Sequence, residues 1–222
     1  MPPITSFSPK ALAFLRALKR NNDREWFRAR KDQYEVLLRQ PMVALIEQLA
    51  VDLKAFAPDL VANPRMSLYR IYRDTRFSEN KAPLKTNVAA VFPHRAFGKH
   101  QGAGLYFEIA PGWVWIGGGM YSPETARLQQ VRERICAHFR QFRAVVESPG
   151  FRRTVGALEG ERLQRVPRGF PRDHEAAEYL KHRQFLAGCE FPASLAISPR
   201  FYRTVVDRFR TIAPLVNFLN EG

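Results

Sequence analysis

The sequence predicts an α+β fold in which N-terminal helices pack on a central, mostly antiparallel sheet and further helices follow. Apolar residues recur at helical spacing through about residue 60, and β-favouring segments cluster between residues 66 and 121. Helical spacing then returns after Ser122. Because no internal repeat or long linker interrupts this order, we expect one domain over residues 1–222.

Four Ser-Pro pairs mark helix starts, because serine caps a helix and proline suits its first position. Their serines are Ser8, Ser122, Ser148 and Ser198. A second helix is expected to begin at Asn22, since Glu25 stands three residues on as in a capping box. Pro41 should end or kink that helix, after which a third apolar stripe runs from Met42 to Leu53.

The central part of the chain favours strands over Met66–Tyr72 and Thr86–Phe92, and a hairpin over Gly104–Tyr121 that folds about Pro111 and Gly112. Alternation puts Leu105, Phe107 and Ile109 on the buried face of the hairpin. Glu108 then falls on the other face, where solvent is the simpler interpretation. The glycine run 117–119 is interpreted as a turn or bulge ahead of the next helix.

Shorter elements complete the chain. After the helix that starts at Ser122, the sequence predicts helices over Pro149–Leu158 and His174–Lys181, a strand over Phe185–Cys189 and a C-terminal helix from Pro199. Asp173 is expected to cap the second of these helices.

Positive charge is the strongest compositional feature. The formal net charge is +14, and residues 65–100 carry eight cationic and two acidic side chains, a local charge of +6. A basic surface favours an anionic partner, although net charge alone is a weak argument for nucleic-acid binding.

The segment 69–86, YRIYRDTRFSENKAPLKT, concentrates these cations among hydroxyl and aromatic side chains. Guanidinium groups bind phosphate or carboxylate oxygens in pairs, and lysine adds a point charge. We therefore predict an anion-binding site for a phosphorylated small molecule. Its candidate residues are Arg70, Arg73, Arg76, Lys81 and Lys85, with Ser78 and Thr86 as secondary donors.

Three other interpretations of the segment stay open. The arginines would instead serve a structural role if they paired with acids on the N-terminal helices. An enzyme acting on the bound anion would need an acid or base, for which Asp74 and His174 are the candidates. A nucleic-acid-binding protein or a protein interaction module are the remaining possibilities.

No sequence feature predicts a cofactor or a metal site. The five histidines and the two cysteines, Cys136 and Cys189, lack the spacing of metal ligands, and two cysteines so far apart favour reduced thiols in the cytoplasm. The apolar stretch Leu105–Tyr121 is too short and too interrupted to span a bilayer, so no membrane partner is expected.

Several motifs in order resemble one family. FLxxLxxNNxxxWFxxxxxxY runs from Phe14 to Tyr34, and YRIYRDTRFSENKAPLKT, GLYFEIAPG, a glycine run with Pro-Glu, and RVPRGF with a downstream histidine follow. This set resembles the bacterial and fungal domain of unknown function 2461 family over nearly the whole chain. The resemblance implies a cytoplasmic family domain, and it supplies no established activity, substrate or catalytic residue to carry over.

Overall fold

A computed structural model describes residues 6–76, 78–99 and 101–221 of the chain. In it, five helical segments precede a four-stranded sheet and further helices follow, so the predicted α+β class is confirmed. The helices are α1 Pro9–Arg20, α2 Arg24–Arg28, α3 Lys31–Tyr34, α4 Gln40–Leu53, α5 Pro64–Ser67, α6 Thr125–Ala137, α7 Phe139–Val146, α8 Pro149–Val155, α9 Ala177–Leu180 and α10 Phe201–Asn220. The strands are β1 Val88–Pro93, β2 Gly104–Ile109, β3 Trp113–Met120 and β4 Phe185–Pro192.

The sheet is antiparallel throughout, with the strand order β1-β2-β3-β4. Strands β2 and β3 form the predicted hairpin, in which Tyr106 stands opposite Gly117 and Glu108 stands opposite Trp115. Strand β4 pairs with the outer edge of β3 and places Gly188 opposite Gly117. Side chains alternate across such a sheet, so Tyr106, Glu108, Trp115 and the two glycines share one face.

The opposite face of the sheet forms the core against α10. Leu105, Phe107 and Ile109 are fully buried there, as alternation predicts. The ring of Phe209 from α10 lies 5.4 Å from that of Phe92 and 6.4 Å from that of Phe107. Burying one face against a long helix leaves the other face of the sheet available for a site.

The predicted strand Met66–Tyr72 is wrong. Asn63 accepts a hydrogen bond from the Arg65 amide at 2.9 Å, and Pro64 fills the first position, so the helix α5 begins there instead. Beyond it, this stretch pairs with other segments through the isolated bridges Leu68 to Ala90 and Tyr72 to Leu84 instead of a continuous strand. The described residues of the segment 69–87, which are 69–76 and 78–87, therefore lie across the edge of the sheet without regular secondary structure.

Two predicted helix features also differ. The cap of α2 is Asp23, whose carboxylate accepts from the amides of Glu25 and Trp26, whereas Asn22 bonds elsewhere. Pro41 does not end its helix: a π-helical turn over Glu35–Arg39 precedes it and the chain continues into α4. Such a turn shifts the hydrogen-bond ladder, which accommodates a residue without an amide hydrogen.

The predicted helix His174–Lys181 shortens to α9. The Nδ1 atom of His174 accepts a hydrogen bond from the Ala176 amide at 3.0 Å, so this local turn uses an amide that would otherwise begin the helix. Asp173 therefore does not cap α9, contrary to the expectation.

Candidate functional site

A cavity of about 1180 Å³ lies on the sheet face opposite α10. Strands β1 to β3 supply its floor, the segment 69–87 supplies one wall, and Lys19 and Asn22 reach it from the N-terminal helices. The polar and aromatic side chains that line it are Lys19, Asn22, Tyr69, Arg73, Asn80, Lys85, Thr86, Asn87, Lys99, Tyr106, Glu108, Trp115, Tyr121 and Ser122. A concave surface that combines aromatic and apolar lining with converging polar groups is typical of a small-molecule site.

The glycine run 117–119 lies inside β3 rather than in the turn that the sequence suggests. A β-carbon on Gly117 would lie 2.3 Å from the Cη2 atom of Trp115, far inside van der Waals contact. The glycine therefore allows the indole of Trp115 to lie against the backbone. The run shapes the cavity floor instead of ending the strand.

Two lysines meet at one aromatic ring in the cavity. The Nζ atom of Lys85 lies 4.5 Å from the centre of the Tyr69 ring, and that of Lys99 lies 4.1 Å from it. Such cation–π contacts hold an ammonium group without neutralising its charge. Arg73 also lines the cavity and donates from Nη2 to the hydroxyl of Ser78 at 3.3 Å.

These cations share the cavity with the acidic side chain of Glu108, which acts on Lys85 without forming an ion pair. Among the described residues, Lys19, Arg73, Lys85 and Lys99 make no ion pair. Burial lowers the pKa of Lys85, and neighbouring Arg70 and Arg73 lower it further. Burial and the charge of Lys85 likewise lower the pKa of Lys99. The cavity thus holds partly desolvated positive charge, which an anion would stabilise.

The predicted anion-binding residues divide into two groups. Arg73, Lys85 and Thr86 line the cavity, and Ser78 lies against Arg73. Arg70, Arg76 and Lys81 are exposed and do not line it. Arg76 forms an ion pair with Asp74 at 2.7 Å, and the ammonium group of Lys81 donates to the carbonyl of Thr75 at 3.2 Å.

Neither predicted acid–base candidate lies in the cavity. Asp74 is on the surface, where hydrogen bonds from Arg76 lower its pKa to about 2. His174 lies in the helical half of the chain, its ring centre 6.1 Å from that of Phe139. At neutral pH Asp74 is fully ionised, and neither residue is placed to exchange a proton with a group in the cavity.

Glu108 is the carboxyl group that lines the cavity, and it does not face open solvent as alternation alone suggests. Its Oε2 atom accepts a hydrogen bond from Asn87, and it also bonds to the hydroxyl of Tyr106. Burial raises the pKa of Glu108, and this effect exceeds the opposing effects of those two hydrogen bonds and of Lys85. The site therefore contains a carboxyl that keeps its proton to higher pH than an ordinary glutamate, and it lies beside the cations.

Several cavity residues gave no sequence signal as members of one site. Lys19 comes from α1, Lys99 from the loop after β1 and Trp115 from β3. The sequence signal that could have indicated the site is the alternation in β2, because it places Tyr106 and Glu108 on the face opposite the core. That face is the floor of the cavity.

Asn22 fixes the wall of the cavity. Its side chain accepts from the Leu84 amide at 3.0 Å and donates to the Leu84 carbonyl at 2.9 Å. This pair of bonds connects the end of α1 to the residue before Lys85.

Replacing Asn22 with alanine is expected to lower the free energy of unfolding by about 2 kcal/mol, since each hydrogen bond contributes about 1 kcal/mol. The melting temperature should fall by roughly 4 °C or more in a chain of this size, which differential scanning calorimetry would measure. Asn21→Ala is the matched control, because its side chain bonds only to Ala17 in the same helix. Equal losses in both variants would contradict this role of Asn22.

The described part of the chain contains no cluster of three or more His, Cys, Asp or Glu side chains that is arranged to bind a metal ion. Among the described helices, none has both the length and the apolar composition that a bilayer crossing requires.

Comparison with known proteins identifies the family. The family model described as "Conserved hypothetical protein (DUF2461)" matches residues 10–218, and so includes every element from α1 to α10 that forms the cavity and the core. No curated protein and no solved structure matches the chain significantly. The match covers nearly the whole sequence, and the chain belongs to the DUF2461 family.

Proposed function

We propose that the protein binds a phosphorylated small molecule in the cavity, with Arg73, Lys85 and Lys99 as the principal anion-binding groups. One observation carries the proposal: these cations enter a concave cavity and form no ion pair among the described residues. Grouping like charges in a partly buried site costs free energy in the absence of an anion. A bound phosphate would remove that cost.

The donor chemistry fits a phosphate ester. A guanidinium group and two ammonium groups donate to several oxygens at once, and the hydroxyls of Thr86 and Ser122 and the amide of Asn87 add neutral donors. The aromatic residues leave room for an organic group next to the phosphate.

The location of the remaining cations favours a small molecule over a nucleic acid. A nucleic acid would need an exposed basic strip, and Arg76 there is already paired with Asp74. A protein partner is the other alternative, and its candidate contacts are the exposed large apolar residues Val36, Val51, Met66, Tyr72 and Tyr121. Both classes become the better interpretation if small phosphates fail to bind.

An enzyme acting on the bound anion is the second candidate function. The position of Glu108 favours it, because a carboxyl that holds its proton at higher pH is suited to donate one to a ligand oxygen. In this version of the proposal, Glu108 replaces Asp74 and His174 as the acid or base.

We also propose a cytoplasmic location. Support comes from Cys136 and Cys189, which form no disulfide with each other.

Lys85→Gln is expected to weaken the binding of phosphate esters about tenfold or more, because a hydrogen bond to a charged group contributes about 1.5–3 kcal/mol. Isothermal titration calorimetry against inorganic phosphate, sugar phosphates, nucleotides and short oligonucleotides would measure the effect. Lys81→Gln is the matched control, since it removes the same charge from the same segment outside the cavity.

Equal losses in the two variants would indicate a general effect of charge and would contradict the site. Binding of oligonucleotides alone, with a steep dependence on salt, would replace the proposal with nucleic-acid binding. If no phosphate compound binds, a protein interaction module becomes the remaining interpretation of the protein.

A further inference from the structure

The indole of Trp115 lies across two strands on the cavity floor. A β-carbon placed on Gly117 would lie 2.3 Å from its Cη2 atom, and one placed on Gly188 would lie 2.2 Å from its Cζ2 atom. These glycines face each other on β3 and β4. The six-membered ring of the indole therefore covers two bare backbone positions, and no larger residue at either one would permit this contact.

The other side of the indole is available to a ligand. Trp115 lines the cavity and is only partly buried, so the side that is turned away from the sheet faces the open space. Tyr106 stands beside it, with ring centres 5.8 Å apart and planes inclined by 53°. Because Tyr106 is tilted rather than stacked, it borders the indole without covering it.

Neighbouring aromatic rings connect the indole of Trp115, here called the platform, to the cations of the cavity. The ring centres of Tyr106 and Tyr69 are 6.1 Å apart, and the ammonium groups of Lys85 and Lys99 both contact the Tyr69 ring. A flat ring on Trp115 and an anion at the lysines would thus occupy two neighbouring parts of one cavity.

We propose that the ligand carries a planar aromatic ring, which stacks on Trp115 while its phosphate binds at Lys85 and Lys99. This inference rests on the proposed function and narrows its ligand class. The indole rests on backbone on one side and borders the cavity on the other, so a planar ligand ring has a face to stack on. Gly117 and Gly188 allow this platform to lie flat against the sheet.

Three phosphate monoesters test the proposal by calorimetry: phenyl, cyclohexyl and methyl phosphate. They carry the same anion and differ in the attached group. Stacking on an aromatic side chain should make phenyl phosphate bind about tenfold tighter than cyclohexyl phosphate. Trp115→Leu should abolish that preference, so that phenyl and cyclohexyl phosphate then bind about equally.

Trp113→Leu is the matched control, because Trp113 lies on the same strand but does not line the cavity. Gly188→Ala supplies a second variant that keeps the indole: its β-carbon would displace the ring, so the preference for phenyl phosphate should shrink there too.

The outcomes separate the two proposals. If all three esters bind equally to the wild type, the aromatic-ring inference is overturned and the anion site stands. If none binds, the proposed function itself fails. A phenyl preference that survives in both Trp115→Leu and Gly188→Ala would also overturn the inference, since the ring would then stack elsewhere.

Discussion

The double variant Lys85→Gln, Lys99→Gln is expected to bind phosphate esters about 100-fold more weakly than the wild type and yet to melt no lower. Each lysine contributes about tenfold when its charge meets a phosphate, and two such losses multiply if the groups act independently. Retained stability together with lost binding is the signature of a binding site. A structural ion-pair network would lose both.

The stability half of this prediction follows from the lowered pKa values. Burial lowers the pKa of both lysines in the folded state, and the charge of Lys85 lowers that of Lys99 further. A cation whose pKa falls on folding destabilises the fold at any pH where it is still charged in the unfolded chain. Neutral glutamine removes that cost, which offsets the cation–π contacts with Tyr69 that are lost.

Calorimetric titration and thermal melting of the same samples would check both halves. Lys54→Gln, Lys81→Gln is the matched control, because it removes two exposed charges outside the cavity. A melting temperature that falls by many degrees in the Lys85 and Lys99 variant alone would show that these lysines hold the fold together.

Local patterns were sufficient to predict much of the fold. The β2–β3 hairpin followed from alternation about Pro111 and Gly112, and α1 and α8 begin at the Ser-Pro pairs as expected. These features depend on residues close together in the chain, where propensity, capping and turn chemistry agree. The strand predicted over Met66–Tyr72 does not form, because the helix cap at Asn63 and Pro64 outweighs the β-favouring composition of the stretch.

The candidate site was less predictable, because side-chain direction in the segment 69–87 has no period. Its course is set by particular hydrogen bonds: Asp74 to Arg76, Asn80 to the Ala82 amide, and Asn22 to Leu84. Arg73 and Lys85 consequently enter the cavity, while Arg70 and Lys81 do not. Cationic residues close together in this basic segment therefore differ in whether they line the cavity.

Residues from distant segments complete the cavity for the same physical reason. Lys99 reaches Tyr69 from the loop after β1, and Trp115 lies flat because Gly188, more than seventy positions later, pairs opposite Gly117. Such contacts depend on strand register, which a single sequence does not specify between β3 and β4.

Glu108→Gln is expected to remove a pH dependence of anion binding. Burial raises the pKa of Glu108, so its carboxyl is neutral at low pH and gains a negative charge as the pH rises through that value. A carboxylate that ionises beside Lys85 opposes a bound anion, and like charges brought together cost several kcal/mol. Wild-type affinity should therefore fall about tenfold or more with rising pH, whereas the variant should stay flat over that interval.

Methyl sulfate is the suitable probe, because its own charge does not change over this pH range. The groups that face Glu108 are Asn87, Tyr106, Tyr69 and Lys85. Both tyrosines have raised pKa values and stay neutral, and Lys85 is present in both the wild type and the variant. Glu190→Gln is the matched control, since Glu190 is exposed on the same sheet face outside the cavity.

The same variant changes stability with a defined sign. A carboxyl whose pKa is raised on folding binds its proton more tightly in the folded state, so wild-type stability falls as the pH rises from the unfolded pKa to the folded one. Glu108→Gln should lack that fall, and melting curves across the interval would show the two proteins diverging. Parallel curves would contradict the burial of this carboxyl.

A test for turnover of a bound phosphate ester distinguishes a binding protein from an enzyme. Incubation with the tightest-binding phosphate ester, followed by phosphorus NMR, should show a new resonance with the wild type if Glu108 donates a proton during a reaction. Loss of that donor in Glu108→Gln should slow the reaction about 100-fold or more while affinity at low pH is retained. An unchanged rate in the variant would remove Glu108 from the chemistry. An unaltered ligand with the wild type would leave Glu108 as the group that makes anion binding depend on pH.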